Sequence, residues 1–305
     1  MSTTISVLTP SYGYAHYLPA ALRSVENNSV TAEHVVMDGG STDGTVAVLR
    51  DSRAIWRSEP DTGQSDALNK ALAASTGDVV GWLNADDFYL PGSLDVVAQE
   101  MADHPEVDVL FGDSVLVDGE GRVQRLLKAY GAGVGRTVRW RGPVYLSTST
   151  FFRREVLGPS PFDPEMRMIM DWDMFLRLHE QRGVRFRHIH VPLAAFRFHE
   201  AQVTHGRTEN SGPEHTRLRE RHGIDERSVV LTRALGVARH RALKLATGAV
   251  ALETGSRVLA GVPLLGPDGE VIAGTARALR RLSDPVGWRR REHIFEALAA
   301  PEAST

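Results

Sequence analysis

The chain has 305 residues, of which 42% are hydrophobic and 24% charged, with a net charge of −3, a globular composition long enough for one large α/β domain and an appendage. It contains no cysteine, which excludes disulfides and thiolate chemistry. No apolar run approaches the roughly 18 residues needed to span a bilayer, and Met1-Ser2-Thr3-Thr4 passes straight into a strand-like segment, so no signal peptide and a cytoplasmic location are expected.

The first half alternates strand and helix. Ile5–Thr9 reads as a strand, and Pro19 opens a helix through Ala20, Ala21, Leu22 and Val25, as suits proline in a first turn. His34–Met37 is a second predicted strand ending at Asp38. The turn Gly39-Gly40-Ser41-Thr42-Asp43-Gly44 then leads into a predicted helix over Thr45–Arg50. Ala54–Trp56 is a short third strand, Ser65–Ala74 a helix closed by Gly77, Val79–Leu83 a fourth strand, Leu94–Met101 a helix and Val107–Phe111 a fifth strand. This rhythm predicts a mainly parallel sheet flanked by helices.

Beyond Gly112 the pattern changes. Val115–Val117 and Val123–Leu127 flank Asp118-Gly119-Glu120-Gly121, a hairpin signal. Residues 129–143, rich in glycine and arginine and without periodicity, read as a mobile loop that closes over donor or acceptor. Thr148–Phe152 reads as extended, Trp172–Gln181 as an amphipathic helix, and Phe186–Val191 and Ala194–His199 as strands. Ser211-Gly212-Pro213 marks a boundary between a domain over 1–212 and a mostly helical extension over 213–305, with helices at Glu214–His222, Val229–Lys244 and Ile272–Leu282. The extension holds 15 Lys and Arg against 11 Asp and Glu, so the chain's acidic balance resides in its first 212 residues. Such a tail either meets an anionic surface or is a solvated helical face.

The densest chemistry lies in Gly81-Trp82-Leu83-Asn84-Ala85-Asp86-Asp87. Two adjacent carboxylates follow a short apolar strand, where open α/β sheets bind ligands. They are hard oxygen donors suited to Mg2+ or Mn2+ bridging to phosphate; the alternative is a turn cap before Pro91-Gly92. The turn after the first strand reads Thr9-Pro10-Ser11-Tyr12-Gly13-Tyr14, not Gly-x-Gly-x-x-Gly, and neither a P-loop nor a Gly-x-Ser-x-Gly elbow occurs, which argues against nicotinamide, P-loop and serine-hydrolase chemistry.

From residue 5 to about 205 the chain resembles the family 2 glycosyltransferases, which have the GT-A fold. The resemblance is carried in order by Ile5-Ser6-Val7-Leu8-Thr9-Pro10-Ser11-Tyr12, by Asp38-Gly39-Gly40-Ser41-Thr42-Asp43-Gly44-Thr45, by Glu59-Pro60-Asp61-Thr62-Gly63-Gln64-Ser65-Asp66-Ala67-Leu68-Asn69-Lys70, by Asn84-Ala85-Asp86-Asp87 and by Met170-Asp171-Trp172-Asp173. It implies a GT-A Rossmann-like mixed sheet with a C-terminal helical extension. The implied activity is metal-assisted, inverting transfer of a sugar from a nucleotide-sugar donor, a UDP-sugar being commonest among relatives, to a hydroxyl acceptor in polysaccharide or glycoconjugate assembly. Nucleic acid is not an expected partner. By resemblance Asp87 binds the divalent cation, Mn2+ or Mg2+, with His199 as a metal or phosphate contact. Asp86 meets the donor ribose or the metal shell, Asp38 the base or ribose, Thr9, Pro10 and Tyr12 the base pocket, and Asp61 and Lys70 the donor side. Asp171 is the general base; its position before a helix, taken alone, reads rather as an N-cap, and the resemblance turns the reading to the base, which the positive helix terminus is expected to keep ionised. Ser147-Thr148-Ser149-Thr150 stands where relatives line the acceptor side, or is polar strand.

Three residues depart from the family pattern: Gly39 for a second Asp, Asn84 for the first acid of the metal element and Met170 for a Glu. They keep open a non-catalytic nucleotide-sugar-binding protein. A sugar-1-phosphate nucleotidylyltransferase ranks lower, because the glycine-rich basic loop after the first strand is missing. His188 and His190 read as surface residues. Arg233, Arg239, Arg241 and Lys244, with Trp288 and Arg289-Arg290-Arg291, suit peripheral contact with an anionic membrane, where a lipid-linked acceptor would lie; a packed helical extension or a dimer interface is the alternative.

Overall fold

The computed structural model describes residues 3–131, 134–200, 202, 212–224 and 229–283. Its strands are β1 (Ile5–Ser11), β2 (Ala32–Asp38), β3 (Ile55–Ser58), β4 (Val79–Trp82), β5 (Phe88–Tyr89), β6 (Val109–Val117), β7 (Val123–Leu127), β8 (Thr150–Arg153) and β9 (Phe186–Arg197). They form one sheet in the order β3-β2-β1-β4-β8-β6-β9-β5, with β7 added against β6. The half made by β3, β2, β1 and β4 is parallel. Antiparallel β8 then joins β4 to β6, and β9 runs parallel to β6.

The helices are α1 (Leu18–Glu26), α2 (Thr45–Arg50), α3 (Gln64–Ala74), α4 (Ser93–Asp103), α5 (Val134–Arg141), α6 (Arg154–Leu157), α7 (Met170–Glu180), α8 (Gly212–Arg221), α9 (Val229–Ala246), α10 (Ala249–Gly255) and α11 (Ala273–Ser283). Both sheet faces are covered, so the inner strands are buried and mainly apolar, and successive residues serve opposite cores. Leu8, Val35, Trp82, Phe111 and Phe152 pack with Leu68 and Leu72 of α3 and Phe175 of α7. Val7, Val79, Leu110 and Phe151 pack on the other face with Val25 of α1 and Leu94 and Val97 of α4.

The C-terminal segment is built onto the sheet. Leu259, Leu264, Leu279 and Leu282 share a core with Phe88, Val115, Val123 and Leu126. The buried Lys128 ammonium donates to Asp113 and, at 2.8 Å, to the carbonyl oxygen of Ser283, tying the end of α11 to β6. Among the described residues no helix is long and apolar enough to cross a membrane. Trp288 and Arg289-Arg290-Arg291 lie outside the described residues.

Several sequence expectations change. Within the segment read as a mobile loop, 134–141 is helix α5, because Val134, Thr137 and Val138 are buried on one face. The strands expected at 107–111 and 115–117 are one strand, β6. The two expected between 186 and 199 are one strand, β9, whose register against β6 shifts around Asp113. Gly112 marks the irregularity: a Cβ there would lie 2.5 Å from the carbonyl oxygen of Val191.

Candidate active site

The parallel strands end on one edge. Ser11 stands opposite Asp38, and Asp38 opposite Ser58, while the Leu83 amide donates to the carbonyl of Leu8 at 3.0 Å. The loops after β1, β2, β3 and β4 therefore meet there, as expected of ligand-binding loops in an open α/β sheet.

Asp38 is buried, and its oxygens accept from the amides of Gly40 (3.2 Å) and Ser41 (2.9 Å), from the Ser58 hydroxyl (2.6 Å) and from the Ser41 hydroxyl. Expected at the base or ribose, it is committed to the turn, which Gly40 closes at φ +84°. A Cβ on Gly39 would lie 2.9 Å from Asp61 Oδ2 and 3.2 Å from the Tyr12 ring. The space a side chain at 39 would take is thus filled by the carboxylate of Asp61. Asp61 Oδ1 accepts from the Gly63 amide at 2.9 Å, and burial raises its pKa above the usual carboxylate range. Tyr12, 69% exposed, offers its ring beside it. Thr9 points inward, its hydroxyl 2.9 Å from His34 Nε2, which burial holds neutral with a pKa of about 3. Pro10 is buried, so any contact of these two with a base is through the backbone. Lys70 pairs with Asp66 at 3.2 Å and Glu59 at 3.5 Å.

The Asn84–Asp87 turn gives its two aspartates different environments. Asp87, expected at the metal, has no exposed surface. Its Oδ1 accepts the Arg197 amide at 2.8 Å and its Oδ2 the Asn84 side-chain amide at 3.1 Å. Burial, then the charge of Asp86, pushes its pKa well up, against those hydrogen bonds and the Arg197 guanidinium. Asn84 also accepts from Gln64 Nε2 (2.7 Å) and Trp82 Nε1 (2.8 Å). An aspartate at 84 would turn the contact with Asp87 into like-charge repulsion, which accounts for this departure.

Asp86 faces the other way, its Oδ2 lying 3.0 Å from His199 Nε2. His199 is buried, and its Nδ1 finds no hydrogen-bond partner among the described residues. Its ring packs on Tyr17 at 4.5 Å and edge-on to Tyr14 at 6.1 Å. Burial and the charges of Asp86 and Asp87 keep the Tyr14 phenol protonated. Arg197 lies over the Tyr17 ring at 4.7 Å and donates to the carbonyls of Asp86 (2.7 Å) and Gly119 (2.6 Å), bracing the turn against the β6–β7 hairpin. Tyr14 and Tyr17 escaped sequence reasoning; the tyrosine spacing in Tyr12-Gly13-Tyr14-Ala15-His16-Tyr17 was the only signal.

Asp171 lies in the first turn of α7, with Oδ1 accepting the Trp172 amide at 2.7 Å. Burial raises its pKa to about 6, against that hydrogen bond. The expected lowering by the helix terminus is therefore outweighed, although the group is still mostly ionised at neutral pH. Met170 is buried and accepts the Ser65 hydroxyl on its sulfur at 2.9 Å, so the residue in place of Glu is a core residue. Asp173 is also buried, held by Arg177 (3.0 Å), Arg221 (3.0 Å) and His222 (3.1 Å). The side chains of Ser147–Thr150 are buried.

Among the described residues one group of three His and acidic side chains brings ligand atoms within 4.8 Å of one another: Asp113, His188 and His190. His188 is not the surface residue expected; it stacks on Phe111 and lies 3.3 Å from Asp113. Asp113 already holds Lys128, the Ser283 hydroxyl and the Ala129 amide, and that ammonium disfavours a second cation.

Residues 6–158 match the family model described as Glycosyl transferase family 2. The chain is 27% identical over 210 residues to the PGL/p-HBAD biosynthesis glycosyltransferase of Mycobacterium bovis, covering 63% of this chain and 75% of that one. The structure aligns with S. aureus TarS 1–349, solved in complex with UDP-GlcNAc, at a TM-score of 0.59 and 18% identity, over 97% of this chain and 89% of that one; it spans 37% of a longer TarS chain. It also aligns with the mannosyltransferase PcManGT from Pyrobaculum calidifontis, solved with GDP-Man and Mn2+, at a TM-score of 0.50 and 18% identity, over 98% and 86% of the two chains. A helix-flanked α/β sheet of the GT-A type with carboxylate-bearing loops at its strand ends, and a family match over half the sequence, place this glycosyltransferase in family 2.

Proposed function

We propose that the protein is an inverting glycosyltransferase that uses a UDP-sugar and a divalent cation, with Asp171 as general base and a saccharide or lipid-linked hydroxyl as acceptor. The observation that carries the reading is the Asp86–His199 pair, a carboxylate oxygen in the loop beyond β4 and an imidazole nitrogen just beyond β9, 3.0 Å apart. This mixed O/N donor set fits Mn2+ better than Mg2+, which prefers oxygen alone. The metal role moves from Asp87 to Asp86 with His199, because only Asp86 turns an oxygen toward another ligand atom. Asp86 and His199 would hold the cation, whose charge would offset that of the departing diphosphate.

The chain's own residues do the rest. Tyr12 stacks on the base, and Asp61 Oδ2, which fills the space beside Gly39, accepts a base N–H such as uracil N3–H. The complexes of TarS with UDP-GlcNAc and of PcManGT with GDP-Man and Mn2+ support a nucleotide-sugar donor. Asp171 accepts the proton of the acceptor hydroxyl as the oxygen attacks the anomeric carbon, and a single displacement inverts the configuration. With a pKa of about 6, Asp171 is ionised yet basic enough to take a proton.

The test is UDP-sugar turnover with Mn2+ by the wild type and by Asp86→Ala, His199→Ala and Asp171→Asn. The first two lose metal-dependent turnover, and Asp171→Asn falls by about 100-fold or more while still binding UDP. Activity retained in all three overturns the reading.

A further inference from the structure

The C-terminal helices carry a second feature that the donor site does not use. A cavity of about 500 Å³ opens between the end of α5 and helices α9 and α10, lined by Arg141, Arg241, Lys244 and His240 together with Val237, Leu245 and Val250. Lys244 is paired with Glu253, whereas Arg141 and Arg241, both exposed, have no carboxylate partner among the described residues. The cavity is therefore cationic. Burial, then Arg141 and Lys244, lowers the pKa of His240 to about 4, so this imidazole stays neutral there.

The apolar lining continues onto open surface. Leu235 (50% exposed), Ala238, Ala242 and Leu245 (67% exposed) follow one another at intervals of three or four residues along α9, and Val250 (38% exposed) extends the patch onto α10. Residues so spaced share one helix face. A helix that turns Leu and Ala outward beside unpaired arginines has the pattern of an interfacial helix. The inner face of α9 is fixed, since a Cβ on Gly236 would lie 2.9 Å from Trp140 Cβ.

We propose that this face docks on a bilayer containing anionic phospholipid, with a phosphoryl headgroup in the Arg141–Arg241 cavity and Leu235, Leu245 and Val250 in the acyl boundary. Charge complementarity selects an anionic ligand, and the adjoining apolar stripe selects an amphiphile over a free ion.

The test is co-sedimentation of the full chain with vesicles of phosphatidylcholine alone and with an equimolar mixture of phosphatidylcholine and phosphatidylglycerol. The wild type binds the mixed vesicles and not the neutral ones, and added salt weakens the binding. Arg141→Glu combined with Arg241→Glu lowers the affinity at least about tenfold, as does Leu245→Glu by a separate route. All three sites are exposed, so melting temperature and the UDP–Mn2+ response stay at wild-type values, which separates failure of docking from failure of the donor site. Equal binding to both vesicle types overturns the proposal, as does wild-type binding by both variants. Inorganic phosphate that protects Arg141 and Arg241 without any vesicle binding also overturns it, in favour of a free-anion site. Self-association that Leu245→Glu abolishes, again without vesicle binding, overturns it in favour of a second copy of the chain.

Discussion

Asp86 and Asp87 are chemically identical neighbours, yet the turn gives them opposite tasks. Asp87 is held by the Arg197 amide and Asn84, whereas Asp86 meets His199. By resemblance the metal fell to Asp87 and the donor ribose or metal shell to Asp86; the sequence could not show which of the two is engaged by the Arg197 amide, 110 positions away in β9. The same contacts explain Asn84, and the approach of Asp61 explains Gly39. Asp87→Ala leaves two buried donors unpaired and is expected to lower stability by about 1–3 kcal/mol in urea titration. Asp86→Ala is expected to remove metal dependence, and it leaves the buried His199 without its partner at Nε2. Asp171 gives a pH prediction. Its pKa is raised from 3.8 to about 6 by burial, so its ionised form destabilises the fold, and the penalty grows as pH rises from about 4 to 6 and is complete above that. Asp171→Asn is therefore expected to melt higher than wild type at pH 7 while losing transfer. In the wild type kcat/KM is expected to rise through an apparent pKa near 6, and a flat profile from pH 5 to 8 speaks against Asp171 as the base.

At the scale of elements, the proposed base Asp171 is placed by α8 as much as by α7. Glu214 accepts the amides of Arg167, Met168 and Ile169 at 3.1, 2.9 and 3.2 Å, fixing the segment that leads into Asp171. Glu214→Ala is expected to lower kcat in steady-state turnover. At the other end of α8, burial works against a charged His222, but hydrogen bonds to Asp173 and Glu180 and their charges outweigh it and raise its pKa. A raised histidine pKa means stabilisation that is complete below the unfolded value of about 6.5 and lost as pH rises through the folded one. The difference in urea midpoint between wild type and His222→Ala should therefore be largest near pH 6 and shrink toward pH 9. Strongly patterned elements were legible in the sequence: α2 and β7 fall on the expected residues. Helix α5 was not, because its glycines and arginines mask a short buried face of Val134, Thr137 and Val138. The two-residue strand β5 carries no periodicity to read, and its pairing with β9 is long-range.

For the whole molecule, the five motif segments proved to be five loops or element ends of one sheet, most of them gathered where the parallel strands stop. Their chain order was visible in the sequence. The meeting of His199 with Asp86 and the folding of residues 259–282 onto Phe88 and Val115 were not, since both depend on pairings between distant strands. The account's central statement is that Asp86 and His199 hold a cation that Asp87 does not touch. Thermal unfolding with UDP, GDP and dTDP, each with and without Mn2+, tests it most directly in the wild type, Asp86→Ala and His199→Ala. Ligand at 100 times its dissociation constant adds about 2.7 kcal/mol of stability, so the shift is measurable. A shift with UDP that grows with Mn2+ in the wild type, and loses its Mn2+ dependence in both variants, is the expected result. A Mn2+-dependent shift that survives in both variants, or no shift with any nucleotide, would contradict the account.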